Sequence, residues 1–211
     1  NAALINLVHG HKKDSQGICF VGKVDLPVFL QQKLTAKEGK VFLIEPDAEL
    51  FIRNWNSALL NYPSDETLNE LSLPFAFHPK FGKKVGMHNG AHFYTIGQRK
   101  GLNIGGFPEP LFVLGINVEF NQVYVGMGQE HPGLYRQVLK INSNEVHGVR
   151  PDLSLADGES RRFSIRIRYR QPLQGGVLHR RADGLYIVFD QPQRGITTGQ
   201  FAAWYSKDEL V

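Results

Sequence analysis

A lone cysteine, a glycine-bounded basic turn and a row of arginines are the residues here whose types and spacing suit chemistry. Cys19 lies in Gly17-Ile18-Cys19-Phe20-Val21, an apolar β-like run that follows the polar approach Lys12-Lys13-Asp14-Ser15-Gln16. From these surroundings it is either a small buried hydrophobe or a sulfur nucleophile, because thiolate or persulfide sulfur attacks electrophilic carbon readily. Lys12, Lys13 and the nearby histidines are the local features that would lower its pKa, and they do not decide between the two. In Tyr94-Thr95-Ile96-Gly97-Gln98-Arg99-Lys100-Gly101-Leu102 the glycines let a turn pass close to a ligand. Gln98, Arg99 and Lys100 offer donors to phosphates or base edges; a plain basic surface turn is the alternative.

The third feature is Arg162-Phe163-Ser164-Ile165-Arg166-Ile167-Arg168-Tyr169-Arg170. Strand alternation puts Phe163, Ile165, Ile167 and Tyr169 on a core face and Arg162, Arg166, Arg168 and Arg170 on the other. Arginines two apart on a strand stand about 6.6 Å apart, comparable to phosphates along RNA, so the row suits a backbone track with salt-dependent affinity. A solvated sheet face is the other reading. His88 and His92 have no cysteine or carboxylate cluster beside them, so no metal site is expected.

Charge distribution says more than net charge. The chain has 211 residues and a formal charge of +4, too modest to mark a nucleic-acid binder. Yet no acid lies between Glu70 and Glu109, where Lys80, Lys83, Lys84, Arg99 and Lys100 fall. From Arg161 to Arg181 there are seven arginines and no acid. Such tracts suggest local fields for a polyanion. With 42% hydrophobic and 21% charged residues the composition is that of a globular protein rather than a disordered one. No run reaches the length of a membrane helix. One cysteine excludes a disulfide within this chain and suggests a reducing compartment. Lys207-Asp208-Glu209-Leu210 is not a retention signal, since Val211 follows it.

The elements that would position these residues fall into two halves. Helical spacing is expected over 26–34, with Asp25 as N-cap and Pro27 in the first turn, and again over 48–60. A loop-rich stretch runs to Lys84, and a glycine-rich segment spans 86–106. Short β-rich runs follow at 111–116, 122–127, 137–141, 163–169, 177–180, 185–190 and 201–205. Ala182-Asp183-Gly184 marks a hairpin between two of them. The expected class is α+β, mainly β: a small mixed central module over 22–106, then an antiparallel β-barrel over 107–211. The boundary falls at Gly105-Gly106-Phe107-Pro108.

Asp14-Ser15-Gln16-Gly17-Ile18-Cys19-Phe20 and residues 94–102 together resemble the second half of a tRNA-specific 2-thiouridylase, a family that puts sulfur on the wobble uridine. Arg168-Tyr169-Arg170-Gln171 resembles a further family segment. So does Pro192-Gln193-Arg194-Gly195-Ile196-Thr197-Thr198-Gly199-Gln200, with Thr198 where proline is usual. The resemblance implies that Cys19 is the persulfide carrier and forms a transient disulfide with a cysteine of the ATP domain. It also implies contact with the tRNA anticodon arm by Gln98, Arg99, Lys100, Arg166, Arg168, Arg170 and Arg194. ATP with Mg2+ and a persulfide sulfur-donor protein would serve the intact enzyme, in the cytoplasm or, in a eukaryote, the mitochondrion. The family's Ser-Gly-Gly-x-Asp-Ser pyrophosphate loop does not occur in this sequence. Residues 1–21 then read as the tail of an ATP domain lying outside it, and the chain alone, with no cofactor or metal site of its own, is expected not to turn over. Residues 45–80 resemble nothing in the family and are expected to be an insertion. A non-catalytic RNA-binding module and part of a tRNA methyltransferase are the rival readings; for the latter, no Gly-x-Gly nucleotide turn follows a strand.

Overall fold

A computed structural model describes residues 17–18, 22–23, 36–51, 63–169 and 171–211. The chain divides into two compact units, Asn1–Lys37 and Glu38–Val211. In the first, β1 (Gly17–Ile18) pairs antiparallel with β2 (Gly22–Lys23). Cys19, Arg170 and the helix expected at 26–34 lie outside the described residues, as does most of the one expected at 48–60.

The second unit is built on two sheets. Val41, Phe42, Leu43 and Ile44 are buried on both faces of β3 (Gly39–Ile44), so the strand sits in the middle of its sheet. It pairs antiparallel with β4 (Gly82–His88) and parallel with β6 (Gln122–Met127), which carries β5 (Leu111–Asn117) at the edge. Residues 111–116 and 122–127, expected to open the barrel, therefore complete the central sheet instead. Their hairpin is closed by Asn121, whose φ of +50° suits the left-handed turn. Its buried amide takes the Ala91 N–H at 2.9 Å and donates to the Glu38 carbonyl at 2.9 Å. Local pattern shows the two strands; only pairing partners some 80 residues away show whose sheet they join.

The other sheet runs in the order β12 (Glu209–Leu210), β11 (Ala203–Ser206), β8 (Ser160–Arg166), β9 (Gln174–Arg181), β10 (Gly184–Arg194), β7 (Tyr135–Ile141). All its pairings are antiparallel and it is open rather than closed on itself. The hairpin at Ala182-Asp183 joins β9 to β10. Phe163, Ile165, Leu178, Ile187, Phe189 and Trp204 make its core. Each such side chain contributes on the order of 1.5–3 kcal/mol by leaving water. The described chain is thus mostly β, with a single α-helix among the described residues. No helix among them is long and apolar enough to cross a membrane.

That helix, α1 (Asp65–Ser72), falls in the stretch read from sequence as loop. Ser64 caps it by accepting the Thr67 N–H at 3.2 Å, and Asp65 and Glu66 occupy its first turn, where the helix dipole favours acids. Leu68 is fully buried against Val138, Tyr186 and Val188 of the six-stranded sheet. Arg181 holds Asp65 at 2.6 Å, and Arg136 donates to the Ser72 carbonyl. Just downstream, Phe75, Phe77 and Phe81 pack with Phe51 against Phe42 and Tyr124 of the four-stranded sheet. The part of the supposed insertion that is described is a strap touching both sheets.

Candidate nucleic-acid interface

Residues 94–102 form a loop pinned at both ends and in the middle. Tyr94 and Leu102 pack into the core cluster of Val41, Val113 and Val125. Between them the Gly97 N–H donates to the Val113 carbonyl at 2.7 Å, and the Val113 N–H donates to the Gln98 carbonyl at 2.9 Å, fixing the loop to edge strand β5. Gly97 has a φ of +82°, a conformation a side chain would resist. The Gln98 amide is spent inside the turn: Oε1 accepts the Thr95 N–H at 3.0 Å, and Nε2 donates to the Lys100 carbonyl at 2.8 Å. Gln98 therefore shapes the loop rather than presenting donors outward. Arg99 and Lys100 are exposed at its tip and have no ion pair among the described residues. An open groove of about 400 Å³ runs beside Arg99 along Leu102, Ile104 and Leu111.

The arginine row is arranged differently. Phe163, Ile165 and Ile167 are buried as alternation requires, but Tyr169 is 75% exposed. The reason is local: β8 stops at Arg166, its pairing with β9 ends at Ile165, and the backbone then turns. The turn is tied by the Ile167 N–H to Gln171 Oε1 at 3.1 Å and the Gln171 N–H to the Arg168 carbonyl at 3.1 Å. Arg166 Nη1 donates to the Tyr169 carbonyl at 3.2 Å and its guanidinium lies 5.3 Å over the Tyr205 ring. Arg168 Nη2 donates to the Gly195 carbonyl at 2.9 Å. Arg162 pairs with Asp190 across Gly175, where a Cβ would stand 2.2 Å from the carboxylate. Arg194 packs 4.8 Å over Phe112 of the other sheet. The row is thus a set of anchors, not a line of free charges, and the unused Nε of Arg166 and Nε and Nη2 of Arg194 are buried.

Buried histidines serve the frame. His88 and His131 each accept an N–H two residues on, from Gly90 at 2.9 Å and Gly133 at 3.1 Å, and His131 Nε2 also meets the Ile44 carbonyl at 3.1 Å. Burial lowers the pKa of both. His179, bonded through Nδ1 to Ser160 Oγ at 2.8 Å, is pushed down to about 4 by burial and by Arg181. Nδ1 of His88 and of His131 must stay unprotonated to accept these bonds. No group of three or more metal ligands occurs among the described residues.

Residues 76–127 match the tRNA methyl transferase PRC-barrel domain family, and 137–211 match the aminomethyltransferase beta-barrel domain family. The first match ends where β6 ends, and the second spans most of β7 and all the later strands. Over the whole chain, a tRNA-specific 2-thiouridylase MnmA of Flavobacterium johnsoniae is 48% identical and one of Christiangramia forsetii 50%; the chain covers 52% of each. Along its whole length the chain is similar to these tRNA-specific 2-thiouridylases. It spans about half the length of these relatives. A more distant 2-thiouridylase, from Halalkalibacterium halodurans, is 36% identical over 96% of the chain. Within this family frame the structure brings Gln98, Arg99 and Lys100 into one loop, and Arg166, Arg168 and Gly195 to one end of the six-stranded sheet. Sequence reasoning missed Asn121, Gln171 and Gln193, the side chains that hold these segments in place. A buried asparagine in a hairpin turn was the available signal for the first; the other two stand in the family-like segments around Arg170 and Arg194, which did not show what their side chains hold.

Proposed function

We propose that this chain is the RNA-gripping and sulfur-carrying half of an ATP-dependent tRNA-uridine 2-sulfurtransferase. The observation that carries this reading is similarity over the full chain to proteins named as tRNA-specific 2-thiouridylases. The free Arg99 and Lys100 at the tip of a rigid loop support it, because a fixed backbone lets cations meet phosphates without an ordering cost. In this reading the loop and the arginine turn hold the anticodon arm by its backbone, with the target uridine out of its stack.

Cys19 is proposed to take a sulfur atom from the persulfide of a donor protein. The terminal sulfur attacks the uridine C2 carbon as the activated C2 oxygen leaves. The thiolate of a second cysteine then attacks Cys19 Sγ and breaks its bond to the transferred sulfur, which stays on C2, and the disulfide so formed must be reduced by a cellular thiol. No group of metal ligands occurs among the described residues, and this reading assigns activation of the C2 oxygen to the rest of the enzyme. A reducing compartment such as the cytoplasm suits a cysteine that must return to the thiol. The test is nucleoside mass spectrometry of tRNA from cells carrying Cys19→Ser in the full-length protein. Loss of 2-thiouridine at normal protein level is the expected result; retained 2-thiouridine would make Cys19 a packing residue.

A further inference from the structure

Two large aromatic side chains stand in water at the same end of the six-stranded sheet. Tyr169 is 75% exposed and Phe201 is 92% exposed. The last described pair of β8 and β11 is Arg166 with Ala203. Tyr169 lies three residues after Arg166 of β8 and Phe201 two residues before Ala203 of β11. The Tyr169 turn is tied by the three bonds given above, and Gln171 Nε2 further donates to Gln193 Oε1 at 2.6 Å, with Gln193 itself buried. Phe201 is followed by Trp204, which is buried in the core.

The segments that carry these two aromatics are themselves free of acids, Asp190 being paired with Arg162 and Glu130 bonded by Tyr135. No acid occurs between Glu159 and Asp183, or between Asp190 and Asp208. Both aromatics fall inside these stretches, as do Arg166, Arg168 and Arg194. Exposed aromatics bordered by arginines, in acid-free segments, are what stacking on unpaired bases requires. Arg168 is exposed beside Tyr169, and the charge of a phosphate chain complements it. We propose that Tyr169 and Phe201 form a stacking platform for unpaired nucleotides of the bound RNA, with Arg168 beside them toward the phosphates. This rests on the reading that the chain grips RNA and adds a second foothold, built on bases, apart from the Arg99–Lys100 tip.

The test is binding of unmodified tRNA, and of a single-stranded RNA carrying 2-aminopurine, to the full chain. Tyr169→Ala with Phe201→Ala should weaken tRNA binding about tenfold or more. The slope of affinity against salt should stay unchanged, since no phosphate contact is lost. The fluorescence quenching of 2-aminopurine should disappear in this variant and survive in Tyr169→Phe with Phe201→Tyr, which keeps both rings. Both side chains are exposed, so the melting temperature should not move. Unchanged tRNA affinity and quenching in the alanine variant would overturn the platform while leaving the sulfurtransferase reading intact. So would loss of self-association in that variant without loss of RNA binding, which would make the patch an interface between copies. Failure of the unaltered chain to bind tRNA at all would instead overturn the RNA-gripping role itself.

Discussion

In the loop from Thr95 to Lys100 the charged side chains hold nothing, while in the turn after β8 they hold the turn together. Gly97, Gln98, Tyr94 and Leu102 fix the first segment through backbone bonds, an amide staple and burial, leaving Arg99 and Lys100 to solvent. In the second, Arg166 and Arg168 donate to the carbonyls of Tyr169 and Gly195, and Arg162 is matched by Asp190. Equal density of positive charge therefore does not mean equal capacity to bind a polyanion. What matters is whether neutral groups or the cations themselves carry the frame.

The sharpest way to break this contrast is on RNA affinity. Replacing Arg99 and Lys100 together by alanine should cut tRNA affinity at low salt at least about tenfold and lower the salt slope by about 1.5. The melting temperature should be unchanged; calorimetry alongside a filter-binding salt series reads both. Gly97→Ala tests the frame of the same loop. Its left-handed backbone would cost about 1–2 kcal/mol, read as a lower urea midpoint. Arg168→Ala should behave in the opposite sense to Arg99→Ala. Losing the bond to Gly195 should cost about 1 kcal/mol, a fall of about 2–4 °C in melting temperature, with a smaller change in salt slope than at Arg99.

Acid adds the smallest of these effects and reports on the shared frame. His88, His131 and His179 have folded pKa values below their ordinary 6.5, so the unfolded chain binds protons more readily. Their contribution is fully present above pH 6.5 and is lost as pH falls, for His179 down to about 4. Urea midpoints should therefore decline between pH 7 and pH 5, before most carboxylates titrate. His179→Asn should flatten part of that decline; an unchanged slope would remove His179 from the account.

Much of the strand content was readable because β-rich runs bounded by polar turns repeat through the second half. The Ala182-Asp183 hairpin and the buried faces of Phe163, Ile165 and Ile167 follow from local chemistry. Alternation failed at Tyr169 because the ladder partner ran out, which is a fact about β9 rather than about the arginine row. Helix α1 was missed because its eight residues have only Leu68 and Leu71 as an apolar side, too few for a periodic signal. Its start was nonetheless written in Ser64-Asp65-Glu66, a cap followed by an acidic first turn.

By itself the sequence determined the local conformations and the likeness to 2-thiouridylases: which residues can turn left-handed, which faces are apolar, and the motifs around Cys19, Gly97 and Arg194. Tertiary structure alone decided which sheet the 111–127 hairpin joins, what the 63–81 strap holds, and which basic side chains remain free. The physical reason is that turn and strand preferences depend on a residue and its immediate neighbours. Pairing and the fate of a charge depend instead on groups brought near from far along the chain, such as Val113 to Gln98 and Gly195 to Arg168.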